Sequence, residues 1–310
     1  MCPKLVNLGS LCIDFVYSVP NIAREGETVS SLGQQQFPGG KGLNQSVSAA
    51  LAGITVHHHG SIGADGALLR EALEGAGVIV DNVLVSESDS GRAFIQVDAS
   101  GSNAIVIDGG ANRSITPGQV KAALDAMGPA DWLLLQNEIN DLDEVIRQGA
   151  DRGLKIALNL APVDHRIKDY PLDLLDLLIV NLVEGQAVSG TSDTGVALAE
   201  KIADLLPATS VLLTEGKNGS IMIDCENRLR IETGSFDVEV VDETAAGDAF
   251  VGYFMAGLVE SRELGLLLKE ASAAGAVAVS RPGAATSIPQ RTDIEAMLHA
   301  QSVSQEIRTL

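Results

Sequence analysis

Thr244-Ala245-Ala246-Gly247-Asp248 follows the alternating run Phe236–Val241 and leads into the helix-period run Ala249–Glu260. Three small residues and an acid are thus predicted at a strand-to-helix turn. The first amides of a helix have no partner within it and carry partial positive charge, so they suit an anion. Ala245, Ala246 and Gly247 let an anion approach the backbone closely, and Asp248 is a carboxylate beside it that could take a proton. An anion hole next to a base suits transfer of a phosphoryl group to a hydroxyl. An ordinary capped helix fits the stretch equally well, so the surrounding pattern has to decide.

Short apolar runs alternate with helix-period segments on both sides of it. Strands are predicted at Lys4–Leu8, Thr55–Ser61, Trp132–Gln136, Lys155–Asn159, Leu177–Asn181, Ser210–Thr214 and Ser220–Asp224. Helices are predicted at Gly42–Leu51, Gly66–Gly75, Pro117–Met127, Leu142–Arg152, Glu184–Val188, Asp193–Leu206, Ala249–Glu260, Leu264–Ser280 and Thr292–Gln305. The rhythm predicts an α/β fold of three layers, a mostly parallel sheet flanked by helices. Phe15–Phe37 and Gly91–Asp108 break it with alternating, half-polar runs that read as antiparallel, the second as a hairpin turning at Asp98–Gly101. They predict a small β-sheet lid inserted, from about 15–37 and 91–108, into a single domain spanning 1–310. Asp14, Asn137, Glu138, Asn159, Asn181, Glu184 and Thr214 recur at or just beyond strand ends, the edge where open parallel sheets bind ligands.

A second glycine cluster, Gly39-Gly40-Lys41-Gly42-Leu43-Asn44-Gln45, precedes a helix and supplies donors, but it lacks the GxxxxGK[ST] spacing of a Walker A loop. Asn181-Leu182-Val183-Glu184 puts an amide and a carboxylate three apart, fit either to cap a helix or to orient magnesium-bound water. His57, His58 and His59 alternate along one strand and so cannot share a metal.

With 310 residues and 45% hydrophobic content the chain can bury a large core. A net charge of −20 argues against nucleic-acid and anionic-membrane partners. Cys2, Cys12 and Cys225 form no metal-ligand spacing and read as reduced thiols. A strand begins almost at once and no run is long and apolar enough to span a bilayer, so neither a signal peptide nor a transmembrane segment is expected. The expected compartment is the cytoplasm.

The segments GGKGLNQ (39–45), NLVE (181–184) and DETAAGD (242–248) resemble signatures of the ribokinase-like, phosphofructokinase-B-type carbohydrate kinases. Asn7–Ser10 with Asp14, Gly63–Gly66, Gly109–Asn112, Asn159–Pro162 and Gly283–Pro289 extend the resemblance, in order, over essentially the whole chain. It implies that Asp248 is the catalytic base and that Ala245, Ala246 and Gly247 form the anion hole. Asp14, Gly40, Lys41, Asn44 and Glu138 would hold sugar hydroxyls. Asn181, Thr214, Gly216, Gly219, Gly247 and Ser272 would bind ATP. Asn181 and Glu184 would organise Mg²⁺, through water. Asp242, Thr244, Ala278, Arg281, Gly283 and Ser287 would match a monovalent-cation site, K⁺ being expected. The implied activity is ATP-dependent phosphorylation of a primary hydroxyl of a small, pentose-like sugar, by a homodimer paired through the lid.

Two residues depart from the pattern. Cys12 stands where such kinases usually carry Asn, and a thiol is a poor hydrogen-bonding group, which leaves room for another acceptor: a ketohexose, a sugar acid or a nucleoside. A nucleoside base would want aromatic surface, and the chain has only six Phe, three Tyr and one Trp. Glu215 brings an acid into the nucleotide loop and is expected to point to solvent. A non-catalytic sugar-binding protein is the remaining alternative, and the intact Asp248, Gly247, Asn181 and Glu184 oppose it.

Overall fold

Strand runs such as Trp132–Gln136 are buried at every position because both faces of their sheet are covered. In the computed structural model, which describes residues 3–310, the chain begins β1 (Leu5–Leu8), β2 (Cys12–Ser18), β3 (Gly33–Gly39), α1 (Lys41–Leu51), β4 (Val56–Ile62), α2 (Ala67–Gly75) and β5 (Ile79–Val85). It continues β6 (Gly91–Val97), β7 (Asn103–Asp108), α3 (Pro117–Asp125), β8 (Trp132–Gln136), α4 (Leu142–Asp151), β9 (Lys155–Asn159), β10 (Leu177–Asn181), α5 (Leu182–Ser189), α6 (Gly195–Leu205) and β11 (Ser210–Thr214). It ends β12 (Ser220–Asp224), β13 (Leu229–Thr233), α7 (Ala246–Val259), α8 (Leu264–Val279), α9 (Arg291–Ala300) and β14 (Gln305–Thr309).

Ten strands form the main sheet in the order β14-β13-β12-β11-β10-β9-β8-β1-β4-β5. From β5 through β11 the pairing is parallel, and β12, β13 and β14 add antiparallel at one end. Alternate side chains feed two cores. Leu5, Leu134, Ile179 and Leu212 face α1, α2, α7 and α8, whereas Val6, Leu133, Leu178 and Val211 face α3, α4 and α6. This is the three-layer fold that the strand–helix alternation predicts.

The second sheet has four strands in the order β3-β2-β6-β7 and forms the lid. β2 and β6 pair in parallel, so the lid is mixed rather than wholly antiparallel. It begins earlier and ends later than expected, at Cys12 and Gly39, while Glu27–Leu32, expected to alternate as strand, lies in the connection between β2 and β3. Arg92 ties the lid to the main body through an ion pair to Asp65 at 2.8 Å.

Other boundaries differ for identifiable reasons. Phe236–Val241 is not a strand, because Val241 and Asp242 send their amides to the carbonyl of Val279, at the end of α8, instead of into a ladder. The β5, β13 and β14 strands were not predicted. Half-buried patterns such as that of Ile79–Val85 carry a weaker signal than the apolar central strands. The last helix stops at Ala300, and Gln305, predicted as its final residue, instead opens β14 against β13. Cys12 and Cys225 are free thiols, and Cys2 lies outside the described residues. No described helix is long and apolar enough to cross a membrane.

Candidate active site

The site grows from the crossing of α1 and α7. Ser48 Oγ donates to the Ala249 carbonyl at 2.8 Å, and a Cβ on Gly252 would lie 2.3 Å from that of Ser48. Only glycine permits this approach. One turn before the contact on each helix stand Asn44 and Asp248, now within bonding range. Asn44 Nδ2 donates to Asp248 Oδ2 at 2.9 Å, and Gln45 Nε2 donates to Oδ1 at 2.9 Å. The carboxylate is thus buried and gripped at both oxygens.

The α7 helix begins at Ala246, three residues before the predicted start, which places Asp248 within its first turn. Ala245 precedes it in a left-handed conformation (φ 59°) and offers no side-chain cap, a strained geometry for a residue with a Cβ. Among the described residues no acceptor meets the amides of Gly247 and Asp248, and a Cβ on Gly247 would meet nothing within 4 Å. Free N–H groups at an open helix start are suited to receive an anion.

Acid residues converge from the lid and from the end of β8. Asp14, on β2, lies flat over Gly39 of the paired β3, whose Cβ would sit 2.1 Å from Asp14 Oδ2. Burial first, then the charges of Glu138 and Asp248, push the Asp14 carboxyl up to about 7. Glu138 follows β8 and accepts from Ser10 Oγ and, at 3.1 Å, from the Lys41 amide, so one of its oxygens braces the start of α1. Burial works to discharge Lys41, but the carboxylates of Asp248, Glu138 and Glu184 outweigh it and hold the ammonium above the usual lysine value. Gly40 turns the chain into α1 with φ 93°. Asn44 Oδ1 is buried without a protein partner, which suits a ligand hydroxyl. Cys12 is buried in the β2 row between Gly39 and Gly91 and takes only a long contact from Asn112 Nδ2, at 3.4 Å. Burial, with Glu138 and Asp14 adding to it, raises its thiol well above the ordinary value, so it stays neutral.

Asn181 and Glu184 form a reciprocal capping box at the start of α5, with Asn181 N to Glu184 Oε2 at 2.8 Å and Glu184 N to Asn181 Oδ1 at 3.0 Å. Their oxygens are engaged but not saturated, which suits contact through water better than direct ligation. Burial raises the Glu184 carboxyl. Thr214 lies beside Asn181 in the β10–β11 ladder. Gly216 and Gly219 bracket the turn after it with φ 55° and 95°, and Ser272 is buried on α8. Glu215 does not point away into solvent: its Oε1 accepts from the Gly195 amide at 2.9 Å and caps α6.

Asp242 gathers the other predicted loop. Its Oδ1 accepts from the Thr244 amide and hydroxyl, and its Oδ2 accepts from the Gly283 amide at 2.9 Å. Ser287 bonds the Ala284 carbonyl within its own segment, whereas the Arg281 guanidinium turns to Asp293. The Ala278 carbonyl already receives the Arg281 amide.

One predicted edge residue serves structure. Asn137 is spent on Pro162, Arg166 and Tyr170. Gln136, in contrast, was missed and reaches the site through Gln45. A glutamine closing the run Trp-Leu-Leu-Leu on a strand covered on both faces was the available signal.

Comparison with known proteins identifies the family. The family described as pfkB family carbohydrate kinase matches residues 3–291. Ribokinase of Haemophilus influenzae is 33% identical over 97% of this chain and 100% of its own length. Ribokinase of Bacillus subtilis is 34% identical over 94% and 98%. The structure of Arabidopsis thaliana ribokinase complexed with ribose and ATP superposes with a TM-score of 0.85 at 30% identity, covering 96% of this chain and 99% of that one. The chain belongs to the pfkB family of carbohydrate kinases.

Proposed function

We propose that this protein transfers the γ-phosphoryl group of ATP to the primary hydroxyl of D-ribose. The observation that carries the reading is Asp248, held at both oxygens by Asn44 and Gln45 beside the free amides that open α7. Asp248 takes the hydroxyl proton as that oxygen bonds to the γ-phosphorus. The bond from phosphorus to the β–γ bridging oxygen breaks and ADP leaves with its electron pair. Charge gathering on the transferred group is met by the backbone at Ala245, Ala246 and Gly247. Asp14, Gly40, Lys41, Asn44 and Glu138 orient the sugar. Asn181, Thr214, Gly216, Gly219 and Ser272 line the nucleotide.

Mg²⁺ would be held through water by Asn181 and Glu184 and would neutralise phosphate charge. The Asp242–Thr244 turn, with the Ala278–Ser287 loop, would hold K⁺ and brace the start of α7. That second fit is partial, since Arg281 and the Ala278 carbonyl already have protein partners. The chain acts as one domain in which the lid closes over the sugar and excludes water. Exposed Ile105, Val106 and Ile107 on the lid's edge strand support pairing of two copies there. The expected setting is the cytoplasm.

Cys12 supports a second reading, in which the acceptor is another sugar, because a neutral thiol beside Asp14 discriminates weakly among hydroxyls. ADP release measured with pentoses, ketohexoses, sugar acids and nucleosides, with and without K⁺, separates the readings. D-ribose is expected to give the highest kcat/KM. Turnover of a nucleoside but not of ribose sinks the assignment, and sugar binding without turnover points to a binding protein.

A further inference from the structure

Behind Asp248 a file of fully buried polar side chains runs away from the substrate pocket and under α1. Gln45 Nε2, which donates to Asp248, also donates to Asn159 Oδ1 at 2.9 Å. Gln45 Oε1 accepts from Gln136 Nε2 at 2.8 Å, and that nitrogen also donates to Asn7 Oδ1 at 3.1 Å. Asn7 Nδ2 donates to Ser46 Oγ at 2.8 Å, and Ser46 Oγ meets His58 Nδ1 at 2.8 Å. Asn7, Gln45, Ser46, His58 and Gln136 are each 0% exposed. Four neighbouring strands, β9, β8, β1 and β4, each contribute one member.

The file is polarised. Each amide has one donating and one accepting end, so each link dictates the orientation of the next. Asn7 spends a donor on Ser46, whose hydroxyl also pairs with His58 Nδ1. His58 is a neutral imidazole, since burial, and next the neighbouring His59, push it down to about 3. Gln136 gives both its bonds from nitrogen, so Gln45 must turn its oxygen inward and its nitrogen toward Asp248. A flipped Gln45 would set oxygen against the carboxylate and nitrogen against nitrogen. Packing alone does not call for this arrangement: α1 could rest on Leu or Met here, and Gln136 Oε1 and His58 Nε2 are left without partners, a cost an apolar layer would avoid.

We propose that Gln45 and Gln136 are positioning residues for phosphoryl transfer, a directional amide relay anchored at His58 that locks the plane of the Asp248 carboxylate. The inference rests on Asp248 being the base. Gln136 does not touch Asp248 or the substrate-binding residues named above, so it acts only through Gln45. Gln136→Met keeps the volume and removes both donors. It is expected to lower kcat for ribose about tenfold, the usual scale for a residue one shell behind a reacting group, while KM for ribose stays within about twofold.

The test measures single-turnover rates and melting temperatures of wild type, Gln136→Met, Asp248→Asn and the double variant. If the relay acts through the base, Gln136→Met costs little further rate once Asp248 is Asn. Wild-type kcat in Gln136→Met, or the same fractional loss in both backgrounds, overturns the relay. Should Gln136→Met not fold, Ser46→Ala breaks the next links, and Ser46→Thr, which restores the hydroxyl, should recover the rate. Equal rates for those two overturn it. A wild type that phosphorylates no sugar defeats the base reading instead, and the relay is then judged by melting. Coupled shifts for Gln136→Met and Asp248→Asn support it, and additive shifts defeat it.

Discussion

The proposed acceptor half and the proposed nucleotide half of the site share one sheet edge but are built from different material. Around Asp248 the groups are mostly mutually bonded side chains: Asn44 and Gln45 on Asp248, Ser10 and the Lys41 backbone amide on Glu138, Asp14 against Gly39. Around Thr214 the surface is mostly turn backbone, with Gly216 exposed and left-handed, Gly219 pressed against Thr233, and Glu215 diverted to cap α6. A polyhydroxylated acceptor needs fixed, directional partners for each hydroxyl, whereas a nucleotide can be held by shape, backbone donors and local charge. Substitutions should therefore be costly in the first half and mild in the second.

The sharpest contrast is expected at Asp248. Asp248→Asn keeps the size and removes the base, and kcat should fall at least about a thousandfold with ribose affinity by calorimetry little changed. Gly252→Ala comes next. A methyl 2.3 Å from Ser48 Cβ would part α1 from α7, costing about 1–3 kcal/mol of stability and lowering kcat roughly tenfold as Asn44 and Asp248 separate. A Gly252→Ala enzyme with normal kcat and melting temperature would break the claim that this crossing sets the site.

Asp14 gives a pH signature. Its carboxyl is raised to about 7, so ionisation in the folded state is unfavourable. The stabilisation from its neutral form is complete below the unfolded value near 3.8 and is lost as pH rises through about 7. The ionised form has only acceptors to offer sugar hydroxyls and would hold them better than the neutral acid, so KM for ribose should fall between pH 6 and 8. Asp14→Asn should flatten that slope and raise KM about tenfold. A KM independent of pH over that range in the wild type would remove Asp14 from sugar recognition.

Cys12→Asn should sharpen selectivity among pentoses by less than roughly tenfold, read as ratios of kcat/KM. The smallest effect belongs to the nucleotide half. Gly216→Ala strains a left-handed residue by about 1 kcal/mol in an open turn, and should alter only KM for ATP, by roughly threefold. A loss of kcat there as deep as that of Gly252→Ala would erase the distinction between the halves.

Legibility in the sequence follows the same division. The central strands are covered on both faces and mostly apolar, so they could be read directly, as could AAGD at the start of α7 and GGKG, whose Gly40 and Gly42 sit in close approaches. The strands β5, β13 and β14, at the two ends of the main sheet, were not predicted, and Phe236–Val241 alternates like a strand without being one. Its amides turn to Val279, a contact far away in sequence. Asn137 and Gln136 are adjacent amides at one strand end, yet only Gln136 connects to the base. Which amide turns inward depends on Arg166 and Tyr170, which claim Asn137 from a later loop. Long-range polar partners of this kind leave no local periodicity to read.

The central claim is that base and anion hole converge on a primary hydroxyl. Phosphorus NMR of the product formed from ATP and D-ribose tests it most directly. The account predicts a monoester on the C5 oxygen, formed one for one with ADP. Phosphate on the anomeric oxygen, or inorganic phosphate in place of any sugar monoester beside the ADP, would contradict it.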